Sequence, residues 1–374
     1  MSRFSDAVQV PRTGEPPPLP VVDWGRISQA PPTPLTLPYD GPNAPLPRAD
    51  AVVLTWTAAE WSALDQVFLD SATSRTPSSR EWERSWRLYS FDVGANTTDN
   101  IYNPLWGYFR TVQIADASGT AKTVLLFKCG AHLAHPPWLA GLTAMIGQIL
   151  TETQAGWIYS IGTAGGTRAD VRLGDVVVTN AADIQLKNAN NTGSPIAGQS
   201  FACAAGVPTP QLLADAQQHL FFGLGEAVNY PVLERLVHTL QLHVPQAASL
   251  TLEDLLNDAL RPEKLRDPAA LPMAGTPLLT TDYYYIAADA DAAQWAALEM
   301  DDAVVAWVAA QHGVDYLFVR NVSDPLVPAA TASGAPIPEQ VRDGWSSLIY
   351  EDFGLYSSFN GALTTWAIIA GDDR

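Results

Sequence analysis

Two short blocks hold the residues best suited to chemistry. "LEMDDAVVAW", residues 298–307, sets Glu299, Asp301 and Asp302 ahead of an apolar run, and "YLFVRNVSD", residues 316–324, closes another run with Arg320, Ser323 and Asp324. A helix start accounts for acidity in the first block, because carboxylates in a first turn gain roughly 0.3–1 kcal/mol from the helix dipole. It does not account for the second. The C-terminal end of a buried strand is where open α/β sheets bind ligands and hold polar groups rigidly beside an apolar pocket.

Two further segments belong with these. In "WIYSIGTAGGTRADVRLGDVVVTNAA" an apolar strand runs into Gly162, Thr163, Ala164, Gly165 and Gly166. A tight turn there would let a ligand approach bare backbone amides; a plain strand-to-loop turn is the simpler reading of the glycines alone. In "AVVLTWTAAEWSALDQV" a strand and a short turn precede a helix bearing Glu60 near its start, where a carboxylate also serves as an ordinary helix-start residue.

These residues need a scaffold, and from "ADAVVLTW" onward short β-rich runs alternate with longer helical ones. Strands are expected at 51–56, 109–115, 122–129, 157–162, 174–179 and 315–322, and helices at 57–70, 138–153, 209–221, 230–242, 251–259 and 300–312. Such alternation predicts an α/β fold, a single three-layer domain whose central mixed sheet is flanked by helices. Residues 1–48 contain twelve prolines and read as an extended arm lying over the body or over a partner subunit. The domain then spans 49–374, with a polar, proline-punctuated helical insertion at about 220–275.

The chain has 374 residues, 47% hydrophobic, enough for a sizeable core, and a formal net charge of −18. That charge argues against nucleic acid as a partner, because phosphate-backbone binders cluster Lys and Arg. A small-molecule substrate fits better. The chain has no apolar stretch near twenty residues and its first residues lack a signal-peptide core, so the expectation is a cytoplasmic protein with no membrane partner. Cys129 and Cys203, the two cysteines, agree with that. No metal or other cofactor is expected: His132 and His135 stand as a pair in "HLAH" without a nearby third ligand.

Taken together, "GTAGG…GDVVV" and "LEMDDAVVAWVAAQHGVDYLFVRNVSD" resemble two blocks of the nucleoside phosphorylase and nucleosidase superfamily, in the same order and at fitting spacing. The likeness covers about residues 50–330, and it extends to the methylthioadenosine/S-adenosylhomocysteine nucleosidases within that superfamily. It implies that Asp324 is the acid that protonates the leaving purine and that Glu60 is the carboxylate that activates water. Met300 and Asp301 then match a pair that packs under the ribose and accepts from its hydroxyls, beside Glu299. Here the acid is one methylene shorter than the usual Glu. By the same likeness Tyr284 sets its ring against the base and Tyr285 offers backbone contacts. Thr163, Ala164 and Gly165, the loop opening at Gly130, and Ser323 and Arg320 complete the expected substrate site.

Scission of such an N-glycosidic bond passes through an oxocarbenium-like sugar, so the base must gain a proton while a nucleophile approaches the other face. The resemblance also separates two nucleophiles. Its phosphorylases place an arginine two residues before the loop glycine, and here that position is Ser160. Water is therefore favoured, giving a nucleosidase that releases adenine; a purine nucleoside phosphorylase and a non-catalytic nucleotide-binding sensor are the alternatives. Either a nucleoside or a nucleotide suits the site. Arg84 and Arg87, in the arginine-rich stretch 75–87, are candidates for a 5′-phosphate, although solvated surface charge explains that stretch too. The arm and the insertion are similar to nucleosidase-like effectors of bacterial antiviral defence, which remove adenine from ATP. The family likeness further implies a homo-oligomer.

Overall fold

Runs of buried β-branched residues build the centre of the molecule. A computed structural model describes residues 18–19, 21–24, 30–75, 79–92, 105–208, 220, 224–265, 267–288 and 292–371. Along it run β1 (Thr33–Pro34), β2 (Ala51–Thr55), α1 (Ala58–Phe68), β3 (Arg87–Phe91), β4 (Leu105–Ala115), β5 (Ala121–Cys129) and α2 (Trp138–Thr153). Next come β6 (Trp157–Gly165), β7 (Val176–Thr179), β8 (Ala181–Gln185), β9 (Ser200–Ala202), α3 (Leu224–Ala227), α4 (Tyr230–His243) and α5 (Leu252–Leu255). The chain ends with β10 (Ala270–Pro272), β11 (Leu278–Thr281), β12 (Leu298–Glu299), α6 (Asp302–His312), β13 (Asp315–Asp324) and α7 (Glu339–Gly371).

The strands form one mixed sheet in which β5, β2, β6 and β13 lie parallel and adjacent. Every residue of β2 is buried, as two-sided coverage of a parallel strand demands. Helices α1, α4 and α7 pack a large apolar cluster against one face, and α2 and α6 another against the opposite face. This is the three-layer α/β arrangement the alternation predicts. No helix of the described residues is long and apolar enough to cross a membrane.

Register is what places the chemistry. β13 pairs with β6 from Asp315 beside Trp157 to Val322 beside Ala164, then shifts so that Asp324 lies beside Gly165. Gly162 to Gly165 therefore belong to the strand, not to a turn: the expected end at 162 gives way because the parallel ladder to β13 continues past it.

The long α7 has no counterpart among the expected helices. Its stretch Asp352–Gly371 is buried on all sides, and the small polar residues that blur its periodicity are spent on the fold. Asn360 donates to Gly174 O at 2.8 Å, and Gly361 leaves room for Asn321, whose Oδ1 would lie 2.5 Å from a Cβ there. The helix expected over 251–259 is only Leu252–Leu255, and the one expected over 209–221 lies outside the described residues except for position 220. In the 1–48 segment, Leu19 N and Val22 N donate to Arg75 O and Ser71 O, β1 pairs with β4, and Trp24 meets Trp366 edge-on at 4.7 Å.

Candidate active site

α1 opens with a capping box: Thr57 Oγ1 accepts from Glu60 N at 3.3 Å while Glu60 Oε2 accepts from Thr57 N at 2.8 Å. The helix-start reading of Glu60 is thus correct as far as it goes. The same carboxylate also accepts from Thr55 Oγ1 and Trp56 N, and its other oxygen accepts from Thr163 N and Thr163 Oγ1 across the sheet. Burial works to raise the Glu60 carboxyl, and the charge of Arg320 with three backbone N–H groups outweighs it, so the group is held below the usual carboxylate range. Glu60 is a fixed anion.

Arg320, on β13, is buried under the ring of Trp56, 5.4 Å from its centroid. Its guanidinium donates to both oxygens of Asp302 and to Ser160 Oγ, and lies 3.3 Å from Glu299 Oε2. Burial opposes its charge, and Asp302, Glu299 and Glu60 more than restore it. Ser160 therefore sits under a cation supplied by a neighbouring strand. Glu299 Oε2 accepts from the backbone N–H of Asp301 and Asp302, so the helix-start account holds for Glu299. It fails for Asp301, the α6 N-cap, whose side chain makes no cap bond.

Asp301 turns instead toward the loop after β5. Its Oδ1 accepts from Leu133 N at 2.9 Å and its Oδ2 lies 3.2 Å from His132 Nε2. Since His132 Nδ1 accepts from Ala134 N, the imidazole proton sits on Nε2 and points at Asp301. Burial pushes His132 down to about 4 and Asp301 up to about 8. The sequence, which showed His132 and His135 only as a pair without a third metal ligand, gave no sign of this partnership, which loop geometry reveals. Gly130 starts that loop; its N donates to Trp106 O at 2.9 Å.

Asp324 closes the group at the end of β13. Its Oδ1 accepts from Ser323 Oγ at 2.6 Å and its Oδ2 from Ser346 Oγ at 3.3 Å, while Gly165 brings no side chain against it. Burial pushes it up to about 6 against the pull of both hydroxyls. Tyr284, in the segment after β11, hydrogen-bonds Ser346 at 2.9 Å; Tyr285 packs against Leu279, Ala287, Ala292 and Leu298. Tyr350, one turn beyond Ser346 on α7, hydrogen-bonds Thr57 and feels the charges of Glu60 and Asp324. Nothing in the sequence singled out Ser346 or Tyr350.

The fold thus gathers Glu60, Thr163, Ala164, Gly165, Glu299, Asp301, Arg320, Ser323 and Asp324 at one end of β2, β6 and β13, with half-buried Met300 between Glu299 and Asp301. Arg84 and Arg87 are engaged elsewhere or exposed: Arg87 donates to Pro38 O and lies over Tyr39, and Arg84 is exposed on a 3-10 turn, Glu81–Ser85. Arg75 is not surface charge either, being buried against Asp65. Besides Arg320, a cation beside the site is Lys128, whose Nζ donates to Cys129 O and sits 4.9 Å above the Trp106 ring, within the electrostatic reach of Glu60 and His132.

Comparison with known families gives a match to the phosphorylase superfamily over residues 109–343, more than half the chain. The chain belongs to the phosphorylase superfamily. The superfamily match takes in β13, the Glu299–Asp302 block and the His132 loop, and leaves Glu60, Ser346 and Tyr350 outside it. Among solved structures, the chain is similar to a 5′-methylthioadenosine/S-adenosylhomocysteine nucleosidase from Neisseria meningitidis in complex with methylthio-immucillin-A, at 13% identity and TM-score 0.44, covering 86% of this chain and 99% of that one. It is also similar to an S-adenosylhomocysteine nucleosidase from Streptococcus pyogenes, at 14% identity and TM-score 0.43, covering 87% and 98%. The 5′-methylthioadenosine nucleosidase of Arabidopsis thaliana gives 11% identity and TM-score 0.44, covering 87% and 98%. No curated protein sequence matches.

Proposed function

We propose that this superfamily member hydrolyses the N-glycosidic bond of an adenine nucleoside or nucleotide, releasing free adenine and the sugar or sugar phosphate. The observation that carries the reading is the opposed setting of two carboxyl groups at one strand end. Glu60 is held ionised by its donors and Arg320, whereas Asp324 is pushed up to about 6 by burial. Environments that drive two carboxyls apart assign one as acid and the other as anion.

In this mechanism Asp324, when protonated, passes its proton to the purine as the C–N bond lengthens, so the base leaves neutral. Charge then develops on the sugar, where Glu60 faces it as a preorganised anion. Three of the five bonds to Glu60 come from fixed backbone N–H groups and two from threonine hydroxyls. A water can replace a rotatable hydroxyl without disturbing the backbone bonds, which gives Glu60 its access to the nucleophile. Asp301, steered by His132 and Leu133 N, is placed to accept from sugar hydroxyls. Tyr284 and Tyr285 offer the aromatic surface for the base.

Water is preferred to phosphate because the guanidinium over Ser160 is already spent on Asp302, and because Glu60 would repel a dianion. The nucleotide form of the reading, with ATP and a role in antiviral defence as its furthest extension, draws support from Lys128, a cation beside the site. Chromatography of incubations with adenosine, methylthioadenosine, AMP, ATP and their guanine counterparts in phosphate-free buffer tests the proposal. Adenine release is expected; a strict requirement for phosphate would move the protein to the phosphorylases.

A further inference from the structure

α7 presents Asp343, Ser346, Ser347 and Tyr350, at helical spacings of three and four, toward the end of β13 and the segment after β11. Ser346 is 1% exposed and carries one proton. Because that proton is given to Asp324 Oδ2, the 2.9 Å contact with Tyr284 has Tyr284 as donor. A chain of donors therefore runs from Tyr284 through Ser346 to Asp324. When Asp324 takes up a proton on Oδ2 the chain can reverse, with Asp324 donating to Ser346 and Ser346 to Tyr284. One hydroxyl serves both protonation states.

We propose that Ser346 is a positioning residue for the acid, fixing the Asp324 carboxyl while tethering Tyr284, so that the group that protonates the base and the ring that faces it are set by one side chain of α7. This inference rests on the proposed glycosidic cleavage, because it needs Asp324 to be the acid. Among the described residues, the titratable groups that feel the Asp324 charge are Tyr284 on the segment after β11 and Tyr350 on α7, and Asp343 of α7 acts on Tyr284. Ser323 supplies the other hydrogen bond, to Oδ1. A hydrogen bond donated to a carboxylate favours its charged form, so its loss favours the proton.

The test compares wild type, Ser346→Ala, Tyr284→Phe and the double variant in two ways: the pH profile of base release, and the titration of the Asp324 carboxyl carbon in aspartate-labelled protein, assigned by its loss in Asp324→Asn. In Ser346→Ala both the basic limb and the carboxyl titration should move up by about 0.5–1 pH unit. The plateau kcat should fall about tenfold as the acid loses its bearing. Tyr284→Phe should move the titration in the same direction by less, and add nothing once Ser346 is alanine. An unmoved Asp324 titration in folded Ser346→Ala, or additive shifts in the double variant, overturns the proposal. If Ser346→Ala does not fold, Tyr284→Phe alone decides it, an unmoved titration again being fatal. A wild type that releases no base from any substrate, while the titration shift persists, removes the glycosidase reading and leaves the Ser346–Asp324 link standing.

Discussion

Glu60 and Arg320 meet across Gly162: a Cβ on that glycine would stand 2.6 Å from Glu60 Oε1 and 2.6 Å from Arg320 Nη1. Neither neighbour can give way freely, since Glu60 is tied by five donors and Arg320 by Asp302 and Ser160. Gly162→Ala should therefore cost about 1–3 kcal/mol of stability by overpacking. It should also lower kcat by at least about tenfold by displacing the anion from the sugar. Thermal unfolding and base-release kinetics measure the two effects. Wild-type values in both would show that the pair does not depend on the missing side chain.

Asp324→Asn keeps the shape of the acid and removes its proton. The amide can still meet Ser323 and Ser346, so the fold should survive with an unchanged unfolding transition. Turnover should drop by about 10²–10⁴, the usual worth of a general acid. Steady-state rates of adenine release read this directly. A variant with more than a tenth of wild-type kcat would exclude Asp324 from proton transfer.

The scaffold of this site was legible in the sequence because the parallel strands β2, β6 and β13 each carry an apolar run, followed at or near the strand end by a polar residue, Thr55, Thr163 or Asp324. Its closure was not. α7 carries Ser357, Ser358, Asn360, Thr364 and Thr365 inside the core, where they erase the apolar stripe that announces a helix. Ser346 and Tyr350 went unseen with it. The arginine-rich stretch was ambiguous for a related reason: composition shows where cations are frequent, whereas Arg75 is held by Asp65 and Ser62 O and Arg87 by Pro38 O and the Tyr39 ring, partners that sequence spacing does not reveal. His132 was legible only as a residue without a metal partner, since its bond to Asp301 joins positions 132 and 301 through the fold.

Lys128 separates nucleotide from nucleoside. If a 5′-phosphate reaches the site, its charge-assisted bond to the ammonium is lost in Lys128→Met, and kcat/KM for AMP or ATP should fall at least about tenfold more than for adenosine. Arg84→Ala and Arg87→Ala should leave that ratio unchanged, because Arg84 is exposed and Arg87 is bound to the Pro38–Tyr39 segment. Kinetics on paired substrates decide between them. Equal losses on nucleoside and nucleotide in the lysine variant would make Lys128 a counter-charge for Glu60 and nothing more.

The buried carboxyls also set how stability follows pH. Burial, ahead of the neighbouring carboxylates, pushes Glu299 up to about 8 from an ordinary 4.5, and Asp301 rises to about 8 from 3.8. A folded-state pKa above the unfolded one means that the folded chain binds more protons between about pH 4 and 8. The stabilisation from these two groups is complete below that window and is lost as pH rises through 8, at up to about 1.4 kcal/mol per group for each unit. Glu60 has the opposite sign, its contribution being lost only as pH falls below the ordinary carboxylate range. The unfolding temperature should therefore decline from about pH 5 to 8 and level off above, and Asp301→Asn, which cannot ionise, should flatten part of that slope. Calorimetric scans across this range measure it. A melting temperature that is level or rising between pH 5 and 8 would mean that both carboxyls are already ionised in the folded chain, and the neutral reserve beside Arg320 would not exist.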